Sequence, residues 1–209
     1  LILGQICFFA IRMFLNQNGK TPEILGFYEA GNVILANYLG LIFANMVMDF
    51  YPKLSSFIGD KQRSNSFVNH QIEIATLIVT PISILLLLVA KIIIPILYTS
   101  SFLPVYEILI FGIFSVIMKA FTMPIAFFVL AKGDKKQYFL QELLGDFLNV
   151  SLTILLYSKF QLLGIGLALA INYFIYAVFV YFSIKKKHQF ELQKQTFQIF
   201  SLNFISLYF

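Results

Sequence analysis

Charge is what this sequence has least of. Only 12% of its 209 residues are Asp, Glu, Lys or Arg, while 59% are hydrophobic. A water-soluble domain carries about 25% charged and about 45–50% apolar residues. Half the usual charge argues against a soluble single-domain enzyme. The sequence has one cysteine, Cys7, so a disulfide framework or cysteine zinc site within the chain is excluded. Lying in an apolar run, Cys7 reads as buried filler. A basic leader with a small-residue cleavage site is also missing, so 1–15 is not read as a signal peptide. There is no Walker motif, no His/Cys metal spacing and no Ser/His/Asp arrangement, which leaves no ATP hydrolysis and no hydrolytic triad to argue for.

What is present is apolar and aromatic. The mean hydropathy is +0.84 and there are 25 Phe and 11 Tyr, the composition of a chain solvated by lipid. The net charge of +5 and a pI near 9.2 could suggest nucleic acid. The basic residues, however, sit in short clusters between apolar runs, which suits membrane topology and not a phosphate-tracking face. No nucleic-acid partner is expected.

A spanning helix needs about 20 mostly apolar residues to cross a core about 30 Å thick. That ruler predicts an all-α, polytopic transmembrane bundle in one domain, 1–209. Spans are expected at 1–15 (truncated), 26–48, 72–90, 104–131, 138–157 and 162–184, with a further start at 196–209. Polar breaks fall at 16–25 and 51–71, and a tight basic turn at 132–136. Leu1 opens inside an apolar run and the last stretch stops inside one, so the chain is expected to be an internal piece of a longer polytopic protein.

Orientation follows from Lys and Arg. With the connection after the second span cytoplasmic, ten fall inside: Lys53, Lys61, Arg63, Lys132, Lys135, Lys136, Lys185, Lys186, Lys187 and Lys194. Three fall outside, Lys20, Lys91 and Lys159, and Arg12 and Lys119 lie within spans, which completes the fifteen. A multi-pass protein of a bacterial inner membrane is expected.

Ionisable groups at bilayer depth cost at least about 2.5 kcal/mol each on insertion scales, so they normally face a partner or a wet cavity. In the fifth span Glu142, Asp146, Asn149 and Thr153 recur at i, i+4, i+7 and i+11, within about a 60° arc. Snorkelling to the interface would explain Glu142 but not Asp146 and Asn149 beneath it. In the fourth span Ser115, Lys119 and Thr122 share a face. Lys119 lies about 18 Å and Asp146 about 12 Å in from the same side, so the two are within plausible reach. They would form either a structural ion pair or the wall of a charged cavity. Glu29, Asn32, Asn37 and Gly40 spread over about 140° of the second span, and Arg12 is a further cationic candidate. Asn45 and Asp49 read as interfacial. Pro81, Pro95 and Pro124 permit bending. His70 and His188 read as solvated, and Gly164-Ile-Gly166 as a close helix contact.

The segment Gly26-Phe-Tyr-Glu-Ala, then a polar-dotted span closing on Tyr51-Pro52-Lys-Leu-Ser55, resembles the bacterial O-antigen and lipid III flippases. These are polysaccharide transporters of the multidrug/oligosaccharidyl-lipid/polysaccharide exporter superfamily. The likeness continues through Lys91-Ile-Ile-Ile-Pro-Ile-Leu-Tyr98, Phe102, Lys119, Leu130-Ala-Lys132, Glu142, Leu163-Gly-Ile-Gly166, Tyr173 and the run Lys185–Lys187. It covers about residues 12–187 and corresponds to the C-terminal half of such a transporter. Two departures stand out. Val116 occupies a place where the family often has an acidic residue shortly before its lysine, which turns attention to Asp146, and the tail after Lys187 is apolar.

The resemblance implies a two-lobed, V-shaped helical bundle that works by alternating access. Its cargo would be an undecaprenyl-pyrophosphate-linked oligosaccharide, such as an O-antigen unit of lipopolysaccharide. By the same resemblance Arg12, Lys119 and Glu142 match polar positions of the family. Such a cargo needs cations opposite phosphate, Lys119 and Arg12, and hydrogen-bonding groups for sugars, Asn32, Asn37 and Asn149. No cofactor is expected. Glu29, Glu142 or Asp146 would take a coupling ion, H+ or Na+. The partners implied are the lipid-linked oligosaccharide, membrane lipid, and a polysaccharide polymerase with other assembly proteins. Alternatives are a multidrug or lipid II exporter of the same superfamily, or a membrane-embedded glycan polymerase or ligase. The enzyme should carry a substantial outer loop with catalytic Arg or His, whereas the outer connections here run to only about 4–14 residues. A passive scaffold would not need Lys119, Glu142 and Asp146 at depth.

Overall fold

The computed structural model describes residues 2–19 and 21–207. Expectations that touch Leu1, Lys20, Tyr208 and Phe209 lie outside the described residues. The described chain is all helix and turn, with no strand. The elements are α1 (Ile2–Asn18), α2 (Glu23–Asn32), a π-helical turn (Val33–Tyr38), α3 (Gly40–Ser56), α4 (Lys61–Leu97), a 3₁₀ turn (Ser100–Phe102), α5 (Val105–Ala131), α6 (Lys135–His188) and α7 (Lys194–Ile205). Four helices among the described residues are long and apolar enough to span a membrane: Glu23–Ser56, which runs through the π turn, and α4, α5 and α6.

α6 has 54 residues, about 81 Å of rise and far more than one crossing needs. The backbone breaks at Gln161 (φ 58°, ψ −130°) and the two arms, 135–160 and 162–188, run back along each other. Gln141 Nε2 on the first arm donates to Ser183 Oγ on the second, 3.4 Å away. Glycines close this packing. A Cβ on Gly164 would collide with the Leu156 carbonyl, and one on Gly166 would stand 2.5 Å from the Ile108 carbonyl oxygen of α5. The Gly-Ile-Gly segment is thus a close helix contact.

α5 is the central helix: nineteen of its 27 residues are buried. Toward one end Ile108, Leu109, Ile113 and Ile117 pack with Ile34, Leu35, Ala90 and Ile165. Toward the other, Ile125, Phe128 and Val129 pack with Leu54, Val68, Ile72, Val180 and Ile184. Lipid tails are as apolar as these side chains, so in a bilayer dispersion and shape fit hold them together more than escape from water does. Leu88, Ile96 and Phe182 remain outward on the bundle face, as a lipid-solvated surface requires.

The lysine-rich connections gather at one end. Lys132 Nζ donates to the Ile58 carbonyl at 2.7 Å, and Lys61 Nζ to Gln189 Oε1 at 2.6 Å. Asp134 caps α6 by accepting from the Gln137 N–H at 3.2 Å, and meets Lys187 at 2.5 Å and His188 Nε2 at 3.0 Å. The opposite end holds the 98–104 turn, where Phe102 stacks against Tyr98 and meets Phe27 edge-on.

Several expectations change. The polar stretch 51–71 is not one loop: α3 runs on to Ser56 and α4 begins at Lys61, capped by the Asp60 carboxylate on the Arg63 N–H at 3.0 Å. Polar residues continue a helix outside the lipid because water replaces lipid around them without breaking a backbone bond. Pro52, Pro81, Pro95 and Pro124 all lie inside assigned helices. His188 is half-buried against Asp134, not solvated, whereas His70 is 65% exposed. Cys7 is half-buried, not fully buried.

Candidate functional site

A cavity of about 330 Å³ opens between the π-helical region, α5 and both arms of α6. Each wall supplies polar groups that the helical period brings to one side. The 135–160 arm contributes Glu142, Asp146 and Asn149, and α5 contributes Ser115, Lys119 and Thr122. Asn32 enters from the last turn of α2. The 162–188 arm adds Asn172, Tyr173 and Tyr176.

Lys119 is the cavity's cation. It stands 5.3 Å over the Phe43 ring, and Glu142 lines the same cavity. The Lys119–Asp146 ion pair expected from helix depths does not form. Asp146 instead lies against α1, where a Cβ on Gly4 would sit 3.7 Å from both carboxylate oxygens. Among the described residues Lys119 makes no ion pair, which leaves its ammonium available to an anion. Asn149 Oδ1 and Asn172 Oδ1 are buried without a hydrogen-bond partner among the described residues. Such acceptors lining a cavity suit hydroxyl or amide donors of a polar ligand.

Of the eight candidate residues, five line this cavity: Asn32, Lys119, Glu142, Asp146 and Asn149. Arg12 and Glu29 lie apart from its lining and pair with each other across α1 and α2, Nε to Oε1 at 2.6 Å; Arg12 also covers Phe8, 5.5 Å from the ring centre. Asn37 is exposed on the π-helical turn and does not reach the cavity. A projection at 100° per residue assumes i→i+4 bonding, and the wider π turn shifts everything after Val33 off the face predicted from Glu29. Asn45 and Asp49 are exposed, with Asp49 meeting Lys53 at 2.5 Å.

Tyr138, Asn172 and Tyr176 were not singled out by sequence. A faint signal exists for two of them, since Asn172 and Tyr176 are one helical turn apart on a mostly apolar stretch of that arm. The cavity offers a cation, two carboxylates, amides and phenols. Among the described residues no three His, Cys, Asp or Glu side chains cluster, so a bound cation would have to draw on Glu142 and Asp146 with neighbouring amide oxygens.

A protein-family model described as lipid II flippase MurJ matches residues 3–208. No curated protein and no solved structure matches the chain.

Proposed function

This chain belongs to the lipid II flippase MurJ family, and on that premise we propose that it carries lipid II between membrane leaflets by alternating access. As a member of that family it is a transporter of a lipid-linked precursor, a multi-pass inner-membrane protein and not an enzyme. The family match favours the lipid II alternative over the O-antigen cargo, and it lends nothing to a polymerase partnership.

The observation that carries the reading is a lysine at mid-helix that faces a polar cavity and makes no ion pair among the described residues. Lys119 is the fifteenth of α5's 27 residues, and a group so deep is normally partnered. A pyrophosphate would supply the missing anion through charge-assisted hydrogen bonds. Asn32, Asn149 and Asn172 would meet sugar and amide groups. The cavity's size, about 330 Å³, fits part of a headgroup, the scale of the smaller ligand pockets; the lipid tail stays outside. Glu142 and Asp146 would hold the coupling H+ or Na+, since the sequence has no ATP motif. Arg12, held by Glu29, would meet phosphate only once that pair opens.

The test is rescue of cells depleted of their own lipid II flippase by the gene that encodes this chain. Growth restored by wild type, and lost with Lys119→Ala at equal membrane level, supports the reading. Rescue of an O-antigen flippase deletion with no rescue of the lipid II strain would return the cargo to the first expectation. In the same cells, Glu142→Gln or Asp146→Asn should remove dependence on the ion gradient at one position; unaltered dependence in both would end the coupling role.

A further inference from the structure

A second concavity, of about 460 Å³, lies on another face of the bundle between α5, the 162–188 arm and α7. It shares no lining residue with the polar cavity. Its lining includes Met118, Phe121, Phe174, Val178, Phe182 and Phe197, and one charged residue, Lys194. Phe174, Phe182 and Phe197 are 55%, 61% and 57% exposed, so the groove opens outward to lipid.

We propose that this groove holds an acyl chain of one anionic diacyl phospholipid, with Lys185 and Lys194 meeting its phosphate. Depth is the first argument. From Phe174 to Lys185 is eleven residues, about 16 Å of helical rise and close to one leaflet of a core about 30 Å thick. Charge is the second. Lys185 Nζ stands 5.8 Å over the ring of Tyr181, which lines the groove, and Lys194 lines it directly. Neither makes an ion pair among the described residues, whereas the neighbouring Lys187 is taken by Asp134. The one carboxylate nearby in sequence, Glu191, is exposed, and its main chain is tied to Asn65 and Asn69 on α4. Apolar walls one leaflet deep, beneath two unpaired cations, complement a phospholipid with net negative charge.

The inference does not depend on the identity of the transported cargo. It is tested by native mass spectrometry of the purified protein in detergent, titrated with phosphatidylglycerol or phosphatidylcholine of identical chains. Two near-surface lysines predict a preference for phosphatidylglycerol of at least about tenfold. Lys185→Gln with Lys194→Gln should equalise the two lipids, and Val178→Trp should weaken both by filling the groove. Lys135→Gln with Lys136→Gln, on a different connection, should leave the preference intact. All these side chains are exposed, so folding is checked simply by an unchanged melting temperature. Equal binding of the two lipids by wild type, or a preference that survives the Lys185/Lys194 pair of substitutions, overturns the proposal. So does displacement of phosphatidylglycerol by an equal concentration of undecaprenyl phosphate, which would give the groove to a cargo tail.

Discussion

Lys119 shows how much one residue's surroundings decide. Its ammonium has an aromatic face at 5.3 Å and, among the described residues, no carboxylate in ion-pair contact, so a bound phosphate would contribute the missing partner. A charge-assisted hydrogen bond is worth about 1.5–3 kcal/mol, which predicts that Lys119→Ala lowers transport about ten- to hundredfold at equal membrane level, read in the rescue assay. Gly166 makes a different point. A Cβ there would stand 2.5 Å from a backbone oxygen of α5, which cannot rotate away. Gly166→Ala should destabilise the bundle by about 1–3 kcal/mol, the cost of overpacking, measured as a lower melting temperature in detergent; an unchanged melt would mean the helices separate freely. At this scale the sequence is legible where the helical period is constant. Glu142, Asp146 and Asn149 fall on one wall because nothing interrupts the arm that carries them. Asn37 falls off the cavity wall because it lies within a π turn, and no residue type in Val33–Tyr38 announces that turn. Arg12 and Glu29 were each legible as charged candidates within spans, but their pairing depends on how α1 meets α2, which periodicity does not encode.

Among the elements, the connection from α6 to α7 is held by side chains and not by its own backbone. Asn65, Asn69 and Glu73 recur at i, i+4 and i+8 along α4. Asn65 Oδ1 accepts from the Glu191 N–H at 3.0 Å and Asn69 Oδ1 from the Gln193 N–H at 2.9 Å. Thr196 Oγ1 donates to Glu73 Oε1 at 2.7 Å. Asn69→Ala leaves main-chain groups unsatisfied at about 1–3 kcal/mol. Hydrogen exchange at the Gln193 amide should then rise by at least about tenfold, while amides in the middle of α5 stay protected. The spacing of the ladder is open to inspection in the sequence, but nothing in the segment 189–196 announces it as the partner. Asp134 supplies a pH-dependent joint between α6's two arms. Contact with Lys187, then the Gln137 N–H and His188, holds its carboxyl below the usual 3.8. A lowered pKa means the contact's stability is fully present above 3.8 and is lost as pH falls through the folded value. The difference in melting temperature between wild type and Asp134→Asn should shrink as pH falls below about 3.8. A difference that grew below that pH would have the opposite sign and refute the assignment.

For the whole molecule, the scarcity of charge set the fold class before any motif was read. With 12% charged residues, a chain of this size must be solvated by lipid, and in lipid each backbone group needs an internal partner, which leaves helices once strand patterns are absent. The fold was legible to that depth. The number of polar residues outside the membrane that would join a helix was not, because a ruler tuned to hydropathy stops where water begins; α4's first turns are the example. The superfamily was legible from the order of loose motifs, and the cargo was not, because a phosphate-meeting lysine and sugar-meeting amides serve any lipid-linked glycan alike. The family match turns that choice toward lipid II, and the polar cavity is where the choice has physical consequences. The most direct measurement is the fraction of lipid II open to a membrane-impermeant label on the outer face of cells depleted of their own flippase. With the gene for this chain expressed, labelling should return to normal for wild type and stay at the depleted level for Lys119→Ala. Equal labelling by the two, with both present in the membrane, would contradict a path through this cavity.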